Sequence, residues 1–356
     1  MSERNYFYGK PLEPFNCSTK GMRSPTIPKS VHELRPGDIQ CVAAMGDSLT
    51  AGLGAKAKTP IGLVTEYRGV AWSVGGDDTF EKTVTLPNIL RLYNPQLKGF
   101  STKTSIAVLN GQNAKNNRLN IGKTGSDSYN MDEQADILLY RIKNEGLCDW
   151  SNDWKLITVF IGANDLCDFC DESMEYDPPH YVERVRGALD KLYYANLSRT
   201  LINLVPVLNV SFSKELKDGN IVCGLLQKSS CPCAAYPTQE QENILKDWIP
   251  GYQTGLDDLV KTRRYDGRDD FTVVVQPFFT HTQPPQEKKG GIDFSYFAPD
   301  CFHLSAKGHA VAALSLWNNM FEAVGTKKTS WHEGEPFECP TEDHPYIYTW
   351  KNSISK

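Results

Sequence analysis

A serine hydroxyl becomes a nucleophile only where a base can take its proton and a third group orients the base. The candidate serine in this chain is Ser48, in Gly46-Asp47-Ser48-Leu49, directly after the apolar run Ile39–Met45. A buried strand running into a glycine turn presents one side chain at the end of a sheet, where open α/β folds place their chemistry. The tetrapeptide alone is weak, since it arises by chance in roughly one chain per hundred of this length. Its partners give it weight. Asp300-Cys-Phe-His303 stands just before an apolar helical segment. A carboxylate three residues before an imidazole can contact one ring nitrogen and leave the other for Ser48. A tetrahedral oxyanion also needs donors. Ser48 N–H, Gly125 N–H after one short strand and the Asn164 side chain after another supply three.

These residues must be carried by strands that end together. Residues 39–46, 118–122, 154–161, 199–210 and 270–278 read as strands from their β-branched and apolar content. Helices are expected at 86–93, 131–143, 181–196 and 305–324. In the second of these, Met131, Ala135, Leu138 and Ile142 share a face, and Asp132 and Glu133 suit its first turn. A short helix is expected near Val31–Leu34. Residues 52–100 otherwise read as loop, and 212–250 as an excursion from the sheet. Strand-helix alternation predicts a three-layer α/β/α fold with a mainly parallel sheet of about five strands. The expected division is an irregular arm at 1–38, one α/β domain at 39–325 and a C-terminal extension at 326–356 packed on it.

The chain has 356 residues, 40% of them hydrophobic, with 38 basic and 43 acidic residues interspersed. That suffices for a large core and gives no basic stripe for nucleic acid. No apolar run reaches the roughly 18–20 residues that span a bilayer. Ten cysteines suggest disulfides and an oxidising compartment. The Asn-x-Ser triplets at Asn16, Asn196 and Asn209 are candidate glycosylation sites. Met1-Ser-Glu-Arg-Asn5 opens a polar segment without a leader core. The expectation is a secreted or cell-surface chain that lacks its leader.

Gly46–Leu49, Gly125, Gly162-Ala-Asn164-Asp165 and Asp300-x-x-His303 match, in order, the four blocks of the GDSL (SGNH) lipase and esterase family. Residues 39–53, 66–77, 164–170, 299–309 and the tail 339–353 resemble animal phospholipase B repeats. The resemblance implies an SGNH-hydrolase fold. It makes Ser48 the nucleophile, His303 the base and then the acid, and Asp300 its orienting carboxylate. Ser48, Gly125 and Asn164 become the oxyanion hole. It implies phospholipid or lysophospholipid esters as substrates. The second block reads Gly125-Ser126 where the family has Gly-Ala. Family members are often tandem repeats with a leader and an anchor, so membrane attachment is open.

Other readings compete. Asn164 could be a turn residue or cap, and Asp47 suits fixing the turn better than chemistry. Ser305 reads as the N-cap of the last helix and His309 as a core residue. Cys167-Asp-Phe-Cys170 could be redox-active or bind zinc, but Cys231-Pro-Cys233 has the wrong spacing for a second zinc pair, so structural disulfides are expected. Trp72 and Tyr67 could line an acyl pocket or pack as core. No metal or organic cofactor is expected, and the enzyme is expected to act as a monomer, with a lipid surface as a candidate partner. The rivals are an acetylesterase on the same scaffold and a catalytically silent lipid-binding protein.

Overall fold

The apolar run before Gly46 forms strand β1 (Cys41–Gly46), and α1 (Ser48–Ala51) follows at once in the computed structural model. The structure describes residues 9–11, 14–109, 115–170 and 175–353. In chain order come β2 (Thr65–Glu66), α2 (Leu86–Tyr93), β3 (Ser105–Ile106), α3 (Met131–Asn144), β4 (Lys155–Phe160), α4 (Ala163–Asp168), α5 (Pro178–Tyr194) and β5 (Thr200–Leu204). Then follow α6 (Ser213–Leu216), α7 (Ile221–Ser230), α8 (Pro232–Ala235), α9 (Gln239–Lys261), β6 (Phe271–Val275), α10 (Ala306–Met320) and α11 (Trp350–Ser353).

The main sheet has the order β1-β4-β5-β6 and is parallel throughout. Its strands are apolar on both faces, as a sheet covered on both sides requires. Val42, Ala44, Leu156 and Leu201 pack with α2 and α10. Cys41, Ala43, Met45, Ile157, Val159 and Ile202 pack with α3, α5 and α9. The result is three α/β/α layers. β2 and β3 form a separate two-residue antiparallel pair.

Two expectations need correction. Residues 118–122 do not form a strand but touch β1 through one bridge, Ala44 with Asn120. Ala44 N–H donates to Leu119 O and Ile121 N–H to Ala44 O. Arg118 has φ 47°, and the Asn120 carbonyl is taken by Arg68, so the ladder cannot extend. The fifth place beside β1 is therefore filled by irregular chain. The excursion read at 212–250 stops halfway along α9. Pro250 looks like a breaker, yet the helix passes through it, capped at Thr238 and buried along Leu245, Ile249, Tyr252, Leu256 and Leu259. That spacing is legible in the sequence once Pro250 is discounted.

α10 is buried on nearly every side. Residues after 325 cover it: Trp317 Nε1–H donates to Glu338 O at 3.0 Å and Asn318 Nδ2 to Pro336 O at 2.9 Å. Cys17–Cys339 ties the N-terminal arm to this cover, and Ile347 N–H donates to Leu34 O. Among the described residues no helix is long and apolar enough to cross a membrane.

Trp317 is fully buried, stacked on Tyr93 with ring centroids 5.4 Å apart and packed against Phe321 at 4.5 Å. Trp317→Ala should cost about 3–5 kcal/mol in urea unfolding. A loss under about 1 kcal/mol would mean that the layer closes over the hole, contrary to this packing.

Candidate active site

The turn after β1 is held rigidly. Gly46 N–H donates to Gln134 Oε1 at 2.8 Å, and Gln134 Nε2 donates to Gly46 O at 2.9 Å. A Cβ at position 46 would stand 2.2 Å from Phe160 O of β4, so only glycine fits. Asp47 caps α1 by accepting Leu49 N–H on Oδ1 at 2.8 Å. Ser48 is thus the first residue of α1, and its N–H has no intrahelical acceptor.

His303 comes from the loop before α10. Asp300 Oδ1 accepts Phe302 N–H at 3.1 Å and His303 N–H at 3.0 Å, while Oδ2 lies 2.6 Å from His303 Nδ1. His303 Nε2 is 2.8 Å from Ser48 Oγ. All three side chains are buried. A carboxylate on Nδ1 selects the Nδ1–H tautomer, which leaves the Nε2 lone pair to accept the Ser48 proton. Burial disfavours the imidazolium, but the charge and hydrogen bond of Asp300, aided by Asp47, outweigh it and raise the His303 pKa above its usual 6.5. For Asp300 burial acts upward, yet His303 and the two backbone donors hold the pKa below the ordinary value.

Asn164 and Asp165 open α4 at the end of β4. Asn164 Nδ2 donates one hydrogen to Ser126 O at 2.6 Å, leaving a second. Asp165 accepts Ser128 N–H on both oxygens, at 3.2 and 3.0 Å. On the other side Lys123 N–H donates to Gly46 O at 3.0 Å. Gly125, at φ +80°, lies in the chain between these two anchors, Lys123 on Gly46 and Ser126 on Asn164. The same segment is held by a fully buried ion pair that sequence reasoning missed. Arg68 Nη2 meets Glu66 Oε2 at 2.7 Å, Arg68 Nη1 donates to Gly122 O at 2.7 Å, and Thr124 Oγ1 donates to Glu66 Oε1 at 2.7 Å. Opposite charges two residues apart hint at a pair. Nothing in the sequence shows that it fastens residues 122–124. The role of Gln134 was equally invisible.

An apolar slot of about 60 Å³ is walled by Leu49 and Phe302, the chain neighbours of Ser48 and His303, together with Ala163, Phe212, Leu216 and Trp331. A larger cavity of about 940 Å³ lies between α9 and β6, and none of Ser48, Gly125, Asn164, Asp300 and His303 lines it. Neither Trp72 nor Tyr67 lines the slot. Trp72 is core, edge-on to Phe160, Phe278 and Phe279. His309 is also core: Nδ1 accepts Trp72 N–H at 3.3 Å, and burial, then His303, lower its pKa to about 3. Ser305 Oγ accepts Gly308 N–H as the cap of α10. All ten cysteines pair, as 17–339, 41–148, 167–231, 170–233 and 223–301. Cys167 and Cys170 therefore clamp α4 to the start of α8. Among the described residues no cluster of ligating side chains could hold a metal. Asn16 and Asn196 are exposed, whereas Asn209 is half-buried, with Oδ1 accepting Ser211 N–H.

A family model described as GDSL-like lipase/acylhydrolase matches residues 42–316. Three curated proteins align with 98% of the chain, all named membrane-associated phospholipase B1. The human protein is 42% identical over 365 residues, the rat protein 39% over 366 and the mouse protein 38% over 364. The alignment covers 24% of each, so the chain spans about a quarter of the length of these relatives.

The two buried histidines should titrate apart. In a ¹⁵N NMR pH series the His303 ring should show a midpoint above 6.5, while His309 stays neutral down to about pH 3. Asp300→Asn should move the His303 midpoint downward, because burial then acts unopposed by that charge. An unmoved midpoint would refute the electrostatic role given to Asp300.

Proposed function

Because the chain belongs to the GDSL-like lipase/acylhydrolase family, we propose that it hydrolyses the acyl esters of phospholipids and lysophospholipids through an acyl-enzyme on Ser48. The observation that carries this reading is the Ser48–His303–Asp300 hydrogen-bonded chain, whose neighbours Leu49 and Phe302 wall an apolar slot. His303 Nε2 takes the Ser48 proton as Oγ attacks the ester carbonyl. Ser48 N–H, Gly125 N–H and the free hydrogen of Asn164 Nδ2 receive the developing oxyanion. The C–O bond then breaks, and the lysolipid or glycerophosphoryl alcohol leaves with the proton from His303. Water attacks the acyl-enzyme by the same path, giving the fatty acid and restoring Ser48. The slot's aliphatic and aromatic walls offer apolar surface to the first carbons of an acyl chain. The names of the relatives favour phospholipid over other lipid esters. These side chains complete the cycle without a metal or organic cofactor. Five disulfides support a chain that works outside the cytosol, secreted or at the cell surface.

Ser48→Ala should lower ester turnover by about 10⁴–10⁶-fold with the fold intact, and should abolish labelling by a fluorophosphonate probe. Normal turnover in that variant would end the proposal. Asn164→Ala should lower kcat about 10²–10³-fold, and an unchanged kcat would remove Asn164 from the oxyanion hole. The acid limb of kcat/KM should have its midpoint above pH 6.5, because the raised His303 pKa must be passed before the base is neutral. Phosphatidylcholine carrying two different acyl chains tests the substrate. Release of neither chain, with rapid cleavage of short acetyl esters, would select the acetylesterase reading.

A further inference from the structure

α7 is turned inside out. Its two fully buried positions are Cys223 and Gln227, four residues apart on one face. Cys223 is disulfide-bonded to Cys301, and Gln227 Nε2 donates to Cys301 O at 2.9 Å. On the opposite face Ile221 is 83% exposed, Leu225 68% and Val222 42%. A surface helix normally buries its apolar stripe and turns polar groups to water. This one buries a disulfide and an amide and shows water three aliphatic side chains. Tyr236 extends the same patch: it is 47% exposed, and its hydroxyl donates to Gly224 O at 2.9 Å. A contiguous exposed apolar surface of this kind marks an interaction site.

The position of the helix says what covers it. Cys301 lies between Asp300 and His303, so α7 is bolted to the loop that carries the base and its orienting acid. The segment just before α7 supplies Phe212 and Leu216 to the slot, and Phe302 comes from the same loop as Cys301. The helix that carries the outward apolar face thus joins, through the chain on both of these sides, segments that wall the slot. It also has an exposed cation at its edge. Lys228 stands at the last turn, whereas the Lys217 ammonium is paired with Asp218 at 2.9 Å and lies 5.5 Å from the Tyr236 ring centroid. Apolar side chains edged by an exposed lysine suit the boundary between acyl chains and headgroup oxygens.

We propose that the Ile221–Val222–Leu225 face of α7 docks the enzyme on a phospholipid surface and places the slot mouth at the acyl boundary. This rests on the phospholipid reading of the Ser48 site. None of the three side chains belongs to the hydrophobic core, so they can be changed without unfolding the protein.

The test uses Ile221→Ser/Val222→Ser/Leu225→Ser, with circular dichroism and the Cys223–Cys301 bond as checks of folding. Flotation with phosphatidylcholine vesicles is measured in a Ser48→Ala background, which prevents hydrolysis. The triple variant should partition at least tenfold more weakly. With Ser48 intact, it should hydrolyse vesicular phosphatidylcholine at least tenfold more slowly and p-nitrophenyl butyrate within twofold of the unaltered chain. Equal flotation, or a parallel loss on the soluble ester, would overturn the docking role. So would a changed sedimentation mass with vesicle binding intact, which marks a protein-docking face. α7-dependent flotation without phospholipid hydrolysis would keep the docking surface and remove the phospholipase reading. Hydrolysis without α7-dependent flotation would do the reverse.

Discussion

The site depends on how closely β1 and β4 run beside each other. Their register pairs Gly46 with Phe160, so two parallel strands reach the same edge of the sheet at the same height. Ser48 follows two residues after one end, and Asn164 follows four after the other. The absence of a Cβ at Gly46 lets the Phe160 carbonyl lie against the turn. Parallel strands need crossover connections, and each crossover begins at this edge. Ser48 and Asn164 follow neighbouring strand ends because the ladder sets those ends at one height.

A ladder fixes strand ends but not the loops beyond them. Those loops are fastened here by buried polar groups, each tied to a backbone carbonyl or amide. Gln134 grips both backbone groups of Gly46, Asp165 holds Ser128, and the Arg68–Glu66 pair grips residues 122–124. Buried ionic groups are weak sources of net stability, since desolvation offsets most of their attraction. Their value lies in direction. Removing one partner strands the other, so each tolerates a single arrangement, and the segment that carries Gly125 inherits that arrangement. The disulfides act alike on the opposite side: Cys223–Cys301 fixes the loop between Asp300 and His303.

This division explains how much was legible in the sequence. β1, β4, β5 and β6 announced themselves as apolar runs, and α2, α3, α5 and α10 as periodic or capped segments, because local composition decides them. Ser48, Gly125, Asn164, Asp300 and His303 stood in recognisable order at element ends. What failed was non-local. Residues 118–122 have strand composition, but Arg68 claims the carbonyl of Asn120 from fifty residues away. α9 was not read as a helix, its first half falling in the 212–250 excursion, although its buried stripe runs on both sides of Pro250. Gln134 and Arg68 are ordinary polar residues in the sequence, and only folding shows which backbone atoms they meet. The cysteine pairs could be counted but not joined, since ten thiols carry no label of their partners.

Three buried carboxylates of the site show how environment divides one chemistry into different roles. Asp300 faces an imidazole and two backbone donors, and stays ionised. Asp47 has Leu49 N–H on one oxygen and no hydrogen-bond partner on the other, and burial pushes it up to about 6. Asp165 is pushed up to about 7 by burial, despite the Ser128 amide. Only the carboxylate that touches His303 carries a fixed charge across the neutral range. Asp47 lies near enough to add to the pull on the His303 proton, and that contribution fades as Asp47 protonates near pH 6. The basicity of His303 is therefore set by two acids of different strength: one permanent and hydrogen-bonded, the other held in the same turn that presents Ser48.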